Sequence, residues 1–497
     1  VSALEMRQLD QWTIDDFGLG VDVLMETAGR RVSEVVAGLD DRGASVFVVF
    51  GQGHNGADGL VVARTLHATG MSVRVLTPFQ RSDLTPFCLR QLERCEHLGI
   101  PSELGCSARP MVSDPRDAGK IYIDALFGTG LARNVVGRAA EWIQLMNRDD
   151  ASIVSVDMPS GVCADTGQVM GVAVRADLTI SFQYSKLGHW LFPGAGMRGT
   201  LHVEDIGIPN MALARLDVPT RCVLSRDELF SSMPPRPDNG HKGTFGHVGV
   251  VGGHAGMTGA TKLAGLSALR SGAGKCTLVC DPRIADQLAC ELDVLMCSAD
   301  ARLSSEQKTG DGSPMVCDAY AIGVGLNPRR VSSSFSLWIT SPRPRVIDAG
   351  GLTWLSEQPV MHLGDSCILT PHPAEAARLL GVTTEEIQSD RFVALSKLVQ
   401  KFECFVVLKG AYTLISGPNC EVVLCPYANS GLASAGTGDV LAGLIAGLLA
   451  QGLSPWDAAR IGVVWHALAG DLAREVKGEH AMIATDVIDS LVSVQKC

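Results

Sequence analysis

Residues 429–443 read Asn-Ser-Gly-Leu-Ala-Ser-Ala-Gly-Thr-Gly-Asp-Val-Leu-Ala-Gly, and they decide the fold of the second half of the chain. An apolar run at 421–425 precedes them, and a run of small apolar residues at 440–450 follows them. This order predicts a strand, a tight glycine turn at 436–439 and a helix. Glycines let backbone N–H groups converge, and a helix N-terminus adds unpaired donors and partial positive charge. The turn is therefore a candidate phosphate site.

Asp439 is the acidic residue of this turn. A carboxylate beside a bound anion is unfavourable unless it accepts a proton from a hydroxyl that is being phosphorylated, or holds a metal. The alternative is structural, because Asp favours the first turn of a helix and Gly-Thr-Gly can be turn chemistry alone. The stretch by itself leaves both interpretations open. Gly443 and Gly447 lie four residues apart, which predicts close packing of this helix against another backbone.

The composition predicts a globular protein of two or three domains, because 497 residues exceed one ordinary core. The chain is 46% hydrophobic and 19% charged, and its 54 glycines suit the many tight turns of α/β architecture. The net charge is −11, from 42 basic and 53 acidic residues, which argues against a general nucleic-acid binder.

The cysteines indicate the compartment. Fifteen are scattered without a CxxC pair, which predicts reduced thiols in a cytoplasmic protein rather than a disulfide framework or a zinc site. No signal-peptide pattern is visible, and the longest uncharged apolar run, 440–450, is too short to span a bilayer. We therefore expect no membrane partner.

The first half contains a glycine loop in a strand–turn–helix context. A buried-strand run at 45–50 leads into Gly-Gln-Gly-His-Asn-Gly-Ala-Asp-Gly at 51–59, and a helical pattern follows at 60–69. The glycines match the dinucleotide fingerprint G-x-G-x-x-G. The next strand, 72–76, is followed by no acidic residue that could hold a ribose. A phosphate-binding loop of another kind is therefore favoured over a hydride-transfer site.

Two further strand runs, 120–127 and 152–157, carry Asp124 and Asp157 near their carboxyl ends, each followed by a glycine-containing loop. Open α/β sheets bind ligands at that edge, so the pair favours a binding site over two helix caps. Asn55, Asp124 and Ser160 offer oxygen ligands, which suit a hard cation rather than zinc.

Residues 45–209 resemble the N-terminal domain of the NAD(P)H-hydrate epimerases. His54 and Ala57 stand where that family usually has Asn and Gly. The segments that carry the resemblance are 51–59, 124–131, 157–161, 186–188, 193–194 and 205–209.

The resemblance implies a Rossmann-like three-layer domain that interconverts the two epimers of hydrated NADH or NADPH. It implies a potassium ion held by Asn55, Asp124 and Ser160, and proton handling by Asp157 with help from Lys186. The alternative for Lys186 is an exposed loop lysine. The residues implied to line the hydrate site are His54, Asn55, Gly56, Ala57, Asp58, Gly128, Thr129, Gly130, Leu131, Ala132, Arg133, Asn134 and Asp157.

A weakly patterned connector at 210–221 and a Pro/Gly-rich segment at 233–240 separate the two halves, so we place the domains at 1–220 and 221–497. From residue 246 onward, strand and helix patterns alternate, which implies a mainly parallel sheet with right-handed crossovers. The loops that follow these strands should then lie at the same sheet edge as the Asp439 turn.

The second half resembles the ADP- or ATP-dependent NAD(P)H-hydrate dehydratases, which have a ribokinase-like α/β fold. Val324, Ala374 and Gly350 depart from the family pattern, which has Pro, Gly and commonly a second Asp there. The segments that carry the resemblance are 241–243, 252–253, 256–260, 270–274, 369–373 with Glu375, 409–411 and 435–443.

The chemistry of this resemblance is coherent. A hydroxyl leaves poorly as hydroxide, whereas transfer of a phosphoryl group converts it into a good leaving group. The resemblance implies Asp439 as the base, a Mg²⁺ ion, and ADP as the expected phosphoryl donor, with ATP left open. It implies nucleotide contacts from Lys409, Gly410, Ala411, Tyr412, Thr413, Gly436, Thr437 and Gly438. It implies hydrate contacts from Ala260, Gly325, His372 and Asp439; the alternative for His372 is a structural loop histidine.

Three hypotheses follow. The first is a bifunctional repair enzyme that epimerises hydrated nicotinamide nucleotides and dehydrates one epimer. The second is a ribokinase-like small-molecule kinase with an N-terminal nucleotide-binding module. The third is that the N-terminal half is a binding module inactivated by His54 and Ala57. In all three the expected partners are small molecules and further copies of the chain in a homo-oligomer.

Overall fold

A computed structural model describes residues 1–39, 43–111, 119–216, 221–290, 293–305 and 314–494. The chain divides into two compact units, Val1–Val218 and Pro219–Cys497. The domain boundary predicted near residue 220 falls on residues 217–220, outside the described part. Each unit is an α/β domain built on a largely parallel sheet, so the predicted fold class is confirmed. Across the described residues, every helix is too short or too polar to cross a membrane.

The first unit contains a seven-stranded sheet. Its strands are β1 Ser45–Phe50, β2 Ser72–Thr77, β3 Ser102–Leu104, β4 Lys120–Ala125, β5 Ser152–Val156, β6 Leu178–Phe182 and β7 Thr200–Glu204. Its helices are α1 Ala3–Asp15, α2 Val21–Ala37, α3 His54–Ala68, α4 Pro86–His97 and α5 Gly137–Met146. The order is β3-β2-β1-β4-β5-β6-β7, and every neighbouring pair is parallel.

β1 shows why this sheet is covered on both faces. All six of its residues are buried. Val46, Val48 and Phe50 belong to the core beneath α1–α4, whereas Phe47 and Val49 belong to the opposite core with α5. A strand buried on both faces needs a continuous apolar run, which is the pattern that the sequence has.

α3 begins at His54, six residues earlier than the predicted start at residue 60. The reason is close packing: a Cβ on Gly56 would lie 2.0 Å from the carbonyl oxygen of Gly51, so only glycine lets the first helical turn approach the end of β1. Ala57 is helical and fully buried, and its φ is not positive. Alanine in place of the family's glycine therefore introduces no backbone strain at position 57.

The second unit contains a ten-stranded sheet. Its strands are β8 Arg221–Val223, β9 His247–Val251, β10 Lys275–Cys280, β11 Met296–Ala299, β12 Ala319–Ile322, β13 Arg345–Ile347, β14 Cys367–Leu369, β15 Phe405–Leu408, β16 Leu414–Ser416 and β17 Val422–Leu424. Its helices are α6 Arg226–Ser231, α7 Thr258–Arg270, α8 Ala285–Ala289, α9 Ser336–Ile339, α10 Gly350–Ser356, α11 Pro373–Leu380, α12 Thr384–Ser389, α13 Arg391–Phe402, α14 Thr437–Ala450, α15 Pro455–Lys477 and α16 Ala484–Val494.

The strand order of this sheet is β11-β10-β9-β12-β13-β14-β15-β16-β17-β8. β16 runs antiparallel to both of its neighbours, and the remaining pairs are parallel. β8 was not predicted, because its first residue lies at the end of the expected connector. It is held by pairing with β17, about two hundred residues later in the chain, which local sequence does not reveal.

α14 forms the centre of the second unit, and every residue from Val440 to Ala450 is buried. A Cβ on Gly443 would lie 2.0 Å from the carbonyl oxygen of Ala264, and one on Gly447 would lie 2.0 Å from Ser271 Oγ. The predicted close packing through these two glycines is thus confirmed, and the partner is α7.

Candidate active sites

The first candidate site is a cavity of about 1010 Å³ at the point where the strand order reverses, between β1 and β4. Ligands bind open α/β sheets in this crevice. Gly56, Ala57 and Asn134 of the predicted set do not line it: the first two are buried, and Asn134 is exposed. The predicted residues that line it are His54, Asn55, Asp58, Gly128, Thr129, Gly130, Leu131, Ala132, Arg133, Asp157 and Lys186.

Lys186 is buried, with 1% of its surface exposed, so the alternative of an exposed loop lysine is wrong. Its Nζ lies 2.5 Å from Asp157 Oδ1 and also donates to Ser181 Oγ at 3.0 Å and to the carbonyl of Phe182 at 3.1 Å. An ammonium has three N–H groups, and here each has an acceptor. The lysine is therefore saturated, and its charge compensates that of Asp157.

Asp157 follows β5 in a left-handed conformation, with φ of +64°. Ser181 Oγ and the Phe182 backbone nitrogen also lie near Oδ1, at 3.3 and 3.5 Å, whereas Oδ2 has no hydrogen-bond partner among the described residues, and Asp157 lines the cavity. His189 fixes the backbone: its Nδ1 accepts from the Lys186 N–H, so its Nε2–H donates to the Asp157 carbonyl at 3.0 Å. Burial and the Lys186 charge lower the pKa of His189 to about 3, which keeps it neutral.

Asp10 is a cavity residue that the sequence interpretation missed. Burial raises its pKa to about 6; the Lys186 charge opposes this shift and the Asp157 charge adds to it. Burial, with the charges of Asp157 and Asp10, raises the pKa of Asp58 well above its usual value. The sequence did contain a signal for Asp10. It lies between Met6 and Ile14 at a spacing of four residues, so the three side chains share one face of α1, and all three line the cavity.

Asp124 and Ser160 are in contact with each other, and neither lines this cavity. Asp124 is fully buried, and its Oδ2 accepts from Ser155 Oγ at 2.7 Å and from the Ser160 N–H at 2.8 Å. Burial raises the pKa of Asp124, although these hydrogen bonds act in the opposite direction. Within the described residues no basic side chain pairs with Asp124. Asn55 packs against Gly128 and has a buried amide nitrogen without a hydrogen-bond partner. A buried charge and an unpartnered amide, which can present its oxygen instead, suit a cation with oxygen ligands.

The second candidate site lies around Lys409, at the carboxyl end of β15. Its Nζ is 2.7 Å from Asp348 Oδ1 and 3.8 Å from Glu375 Oε2. Burial opposes its charge, but Asp348 and Glu375 raise the pKa of Lys409 above its usual value, so it stays charged. A Cβ on Gly438 would lie 3.5 Å from this Nζ, so the lysine reaches the predicted glycine turn. Asp348 and Glu375 were not among the predicted site residues.

Asp439 is the third residue of α14 and lies partly buried beside this network. No side chain caps this helix, and Asp439 makes no hydrogen bond or ion pair within the part of the chain that the structure describes. Asp439 thus lies in the first helical turn, as the structural interpretation predicts, but it does not cap the helix. Burial, with the charge of Asp348, raises the pKa of Asp439 to about 6, and Lys409 opposes this shift.

The other predicted residues of this half surround the same edge. His372 caps α11 through its Nδ1, which accepts from the backbone N–H groups of Ala374 and Glu375. It is thus partly structural, and burial and Lys409 lower its pKa. Gly325 has φ of +62°, and a Cβ there would lie 3.2 Å from the Cβ of Ala260, so these two residues are neighbours. They follow β12 and β9, between which the strand order reverses.

Hydrogen bonds fix the turn before α14. Gly436 is its left-handed N-cap, with φ of +93°. Thr437 Oγ1 donates to the carbonyls of Leu432 and Ser434, and its own carbonyl contacts His466 Nε2 at 2.9 Å. The predicted nucleotide residues Lys409, Gly410, Ala411, Tyr412 and Thr413 form the loop between β15 and β16.

Gly350 begins α10, two residues after Asp348. A Cβ on Gly350 would lie 2.2 Å from the carbonyl oxygen of Leu326. The position where the family pattern commonly has a second Asp therefore has no room for a side chain in this protein.

Comparison with known proteins identifies both halves. A family profile described as NAD(P)H-hydrate dehydratase matches residues 248–493, and one described as YjeF-related protein N-terminus matches residues 21–188. A relative from Moorella thermoacetica named bifunctional NAD(P)H-hydrate repair enzyme Nnr is 37% identical, over 99% of this chain and 95% of its own. Relatives of the same name from Coxiella burnetii and Escherichia coli are each 33% identical, over 98% of this chain and 97% and 92% of their own.

A solved structure resembles the second half. It is the ADP/ATP-dependent NAD(P)H-hydrate dehydratase from Bacillus subtilis, co-crystallised with ATP and Mg²⁺. Its sequence is 30% identical, the alignment covers 56% of this chain and 99% of that one, and the TM-score is 0.50.

We predict that Lys186→Met destabilises the first unit by about 3–5 kcal/mol, because it leaves the buried Asp157 charge unpaired. Adding Asp157→Asn should recover most of that loss, because the double variant removes both charges of the pair. The matched control is Lys120→Met, whose ion pair with Asp149 at 3.0 Å is more exposed; we expect a loss of about 1 kcal/mol there. Urea unfolding, read for this unit from amide exchange of its strands, measures all three. If the double variant were less stable than Lys186→Met, the assignment of Lys186 and Asp157 as a buried ion pair would be wrong.

Proposed function

Because the chain belongs to the family of bifunctional NAD(P)H-hydrate repair enzymes, we propose that its first unit epimerises hydrated NADH or NADPH. The second unit dehydrates the S epimer at the expense of ADP, giving AMP and phosphate. The observation that carries the proposal is shared by both units. Each presents partly buried carboxylates around one lysine, Lys186 or Lys409, at the carboxyl edge of its sheet.

The proposed epimerisation inverts the carbon that bears the hydroxyl next to the ring nitrogen. Inversion requires that a bond at this carbon opens and re-forms on the other face, with proton transfer to and from oxygen. Asp157 Oδ2 is the proton-handling atom. Lys186 acts through Asp157 as a positioning residue, because its three N–H groups are already engaged. The left-handed backbone at Asp157 is strain of the kind that functional sites retain.

Asn55, Asp124 and Ser160 would hold a potassium ion in this unit. Their oxygens are ligands that fit it, and Asp124 has hydrogen bonds but no basic partner among the described residues. The ion would supply positive charge near Ser160, whose Oγ accepts from the Phe127 N–H at 2.8 Å. Asn55, Asp124 and Ser160 would thereby fix the loop that lines the hydrate pocket.

In the second unit, Asp439 removes the proton of the hydrate hydroxyl while its oxygen attacks the terminal phosphorus of the nucleotide. The bond from that phosphorus to the rest of the nucleotide breaks, and AMP leaves when ADP is the donor. The phosphate ester then eliminates: the C–O bond breaks and phosphate leaves with its electron pair, the neighbouring carbon loses a proton to solvent, and the electrons of that C–H bond form the ring double bond. The backbone N–H groups at the start of α14, around Gly438, would contact the transferring phosphoryl group.

Mg²⁺ neutralises charge on the phosphates when it is bound. It needs few protein ligands, because phosphate oxygens and water supply most of its coordination. The carboxylates of Asp348 and Glu375 beside Lys409 suit that role. Lys409 would meanwhile hold the nucleotide together with the loop that follows it.

The experiment that tests both activities is recovery of dihydronicotinamide absorbance. The full-length protein is mixed with hydrated NADH as both epimers, Mg²⁺, and either ADP or ATP. We expect complete, nucleotide-dependent recovery, and the more efficient nucleotide identifies the donor. Recovery of one epimer alone would contradict the epimerase assignment. Accumulation of a stable phosphorylated product would favour a kinase instead.

Asp439→Asn should lower dehydratase turnover by about 10²–10⁴-fold, because it removes the base. The base works deprotonated and its pKa is about 6, so wild-type kcat/KM should rise as pH increases through about 6 and then level off. The matched control is Asp457→Asn, at the same third position of α15, where the carboxylate accepts from the hydroxyl of the N-cap residue Ser454 and pairs with Arg460. That variant should keep normal turnover. Near-normal turnover of Asp439→Asn would contradict the assignment.

Potassium should accelerate epimerisation and raise the melting temperature of the first unit, whereas choline at the same ionic strength should do neither. Binding to the folded state alone stabilises it, which gives a readout independent of activity. Asn55→Leu should lose both responses. Asn134→Leu, a change at an exposed amide outside the cavity, should keep them. Equal effects of potassium and choline on the wild type would contradict the proposed potassium site.

A further inference from the structure

Arg391 is a buried arginine that binds the loop between β15 and β16. It is the first residue of α13, and 6% of its surface is exposed. Its Nη1 lies 2.7 Å from the carbonyl oxygen of Ala411 and 3.4 Å from that of Tyr412. Its Nη2 lies 3.0 Å from the carbonyl oxygen of Leu408 and 3.2 Å from that of Lys409. One guanidinium therefore holds carbonyls on both sides of Gly410.

This position is unfavourable for a cation. The N-terminus of a helix is its positive end, and burial lowers the pKa of Arg391 to about 10. No carboxylate lies within ion-pair distance of it in the described ranges, and its Nε is buried without a hydrogen-bond partner. The loop carbonyls that the guanidinium contacts therefore compensate its charge in place of a carboxylate.

The contacts determine which way the loop's N–H groups point. In a trans peptide the N–H points opposite to the C=O. The carbonyls of Lys409 and Tyr412 face Arg391, so the N–H groups of Gly410 and Thr413 point away from it. Neither N–H donates to a protein acceptor in the described part of the chain. Gly410, with φ of +142°, also lies so close that a Cβ would be 3.1 Å from Nη2.

We infer that Arg391 is a positioning residue for the nucleotide: it turns the carbonyls of residues 408, 409, 411 and 412 inward and so presents the N–H groups of Gly410 and Thr413 to a phosphate-bearing ligand. Backbone N–H groups without a protein acceptor can donate to phosphate oxygens, and the nearby guanidinium adds positive charge. The inference rests on the proposed assignment of residues 409–413 to the nucleotide. Lysine does not replace arginine here, because an ammonium lacks the planar fork that spans several carbonyls.

Arg345 offers a matched control within the same unit. It is also buried, with 2% of its surface exposed, and it also donates to backbone carbonyls, those of Ile339 at 2.7 Å and Leu363 at 2.8 Å. It lies at the start of β13, whereas Asp348 and the candidate site follow the other end of that strand. Arg345→Lys therefore removes the same kind of contact without touching the loop.

The test compares Arg391→Lys and Arg345→Lys in the full-length protein. Calorimetry gives the Kd of ADP and ATP, and hydrogen exchange without nucleotide reports on residues 408–414. We expect Arg391→Lys to weaken nucleotide binding by about tenfold and to speed exchange of this loop, with dehydratase kcat at saturating nucleotide within about threefold. KM for the hydrate and the epimerase rate should not change. Arg345→Lys should lose stability without these effects.

A folded Arg391→Lys variant with unchanged nucleotide affinity would overturn the inference, and so would an equal loss of affinity in Arg345→Lys. Should Arg391→Lys not fold, Arg391→Gln keeps two N–H donors without the charge, and the same outcomes apply to it. Failure of the wild type to bind ADP or ATP would overturn the proposed function, and the inference with it. Binding by the wild type together with unaltered binding by the variant would overturn the inference alone.

Discussion

Both units depend on the burial of parallel strands on two faces. Such strands admit few polar side chains along their length, so ionisable groups collect where the strands end. In the first unit, the ends of β1 and β4 open the cavity at the reversal of strand order. In the second, the loops after β9, β12, β13, β14 and β15 converge near the start of α14. The same constraint that stabilises each sheet therefore selects the edge at which chemistry is possible.

The two candidate sites have a similar arrangement of buried charges. Each gathers several carboxylates around one lysine, and that lysine pairs closely with one of them: Lys186 with Asp157, and Lys409 with Asp348. Asp10 and Asp439 form no ion pair within the described residues, and burial raises the pKa of each to about 6. A carboxylate in that range ionises near neutral pH and still accepts protons readily.

Sequence patterns located the features that depend on neighbours in the chain. The strand at 45–50, the glycine turn before α14 and the close packing of Gly443 follow from local spacing, and the structure has them. The early start of α3 and the strand β8 were missed, because both depend on contacts made after the chain has folded. Asp10, Asp348 and Arg391 were missed for the same reason. The local sequence around a charged residue on a helix or at a strand end does not reveal whether that residue faces water or a cavity.

The glycine at position 350 couples two loops of the second unit. The Leu326 carbonyl lies where a side chain at position 350 would begin. An aspartate at position 350 would meet this carbonyl unless the backbone at residue 326 moved first. The residue tolerated at one position therefore depends on the backbone path at the other, so the effect of substituting Gly350 is set by a loop more than twenty residues earlier in the chain.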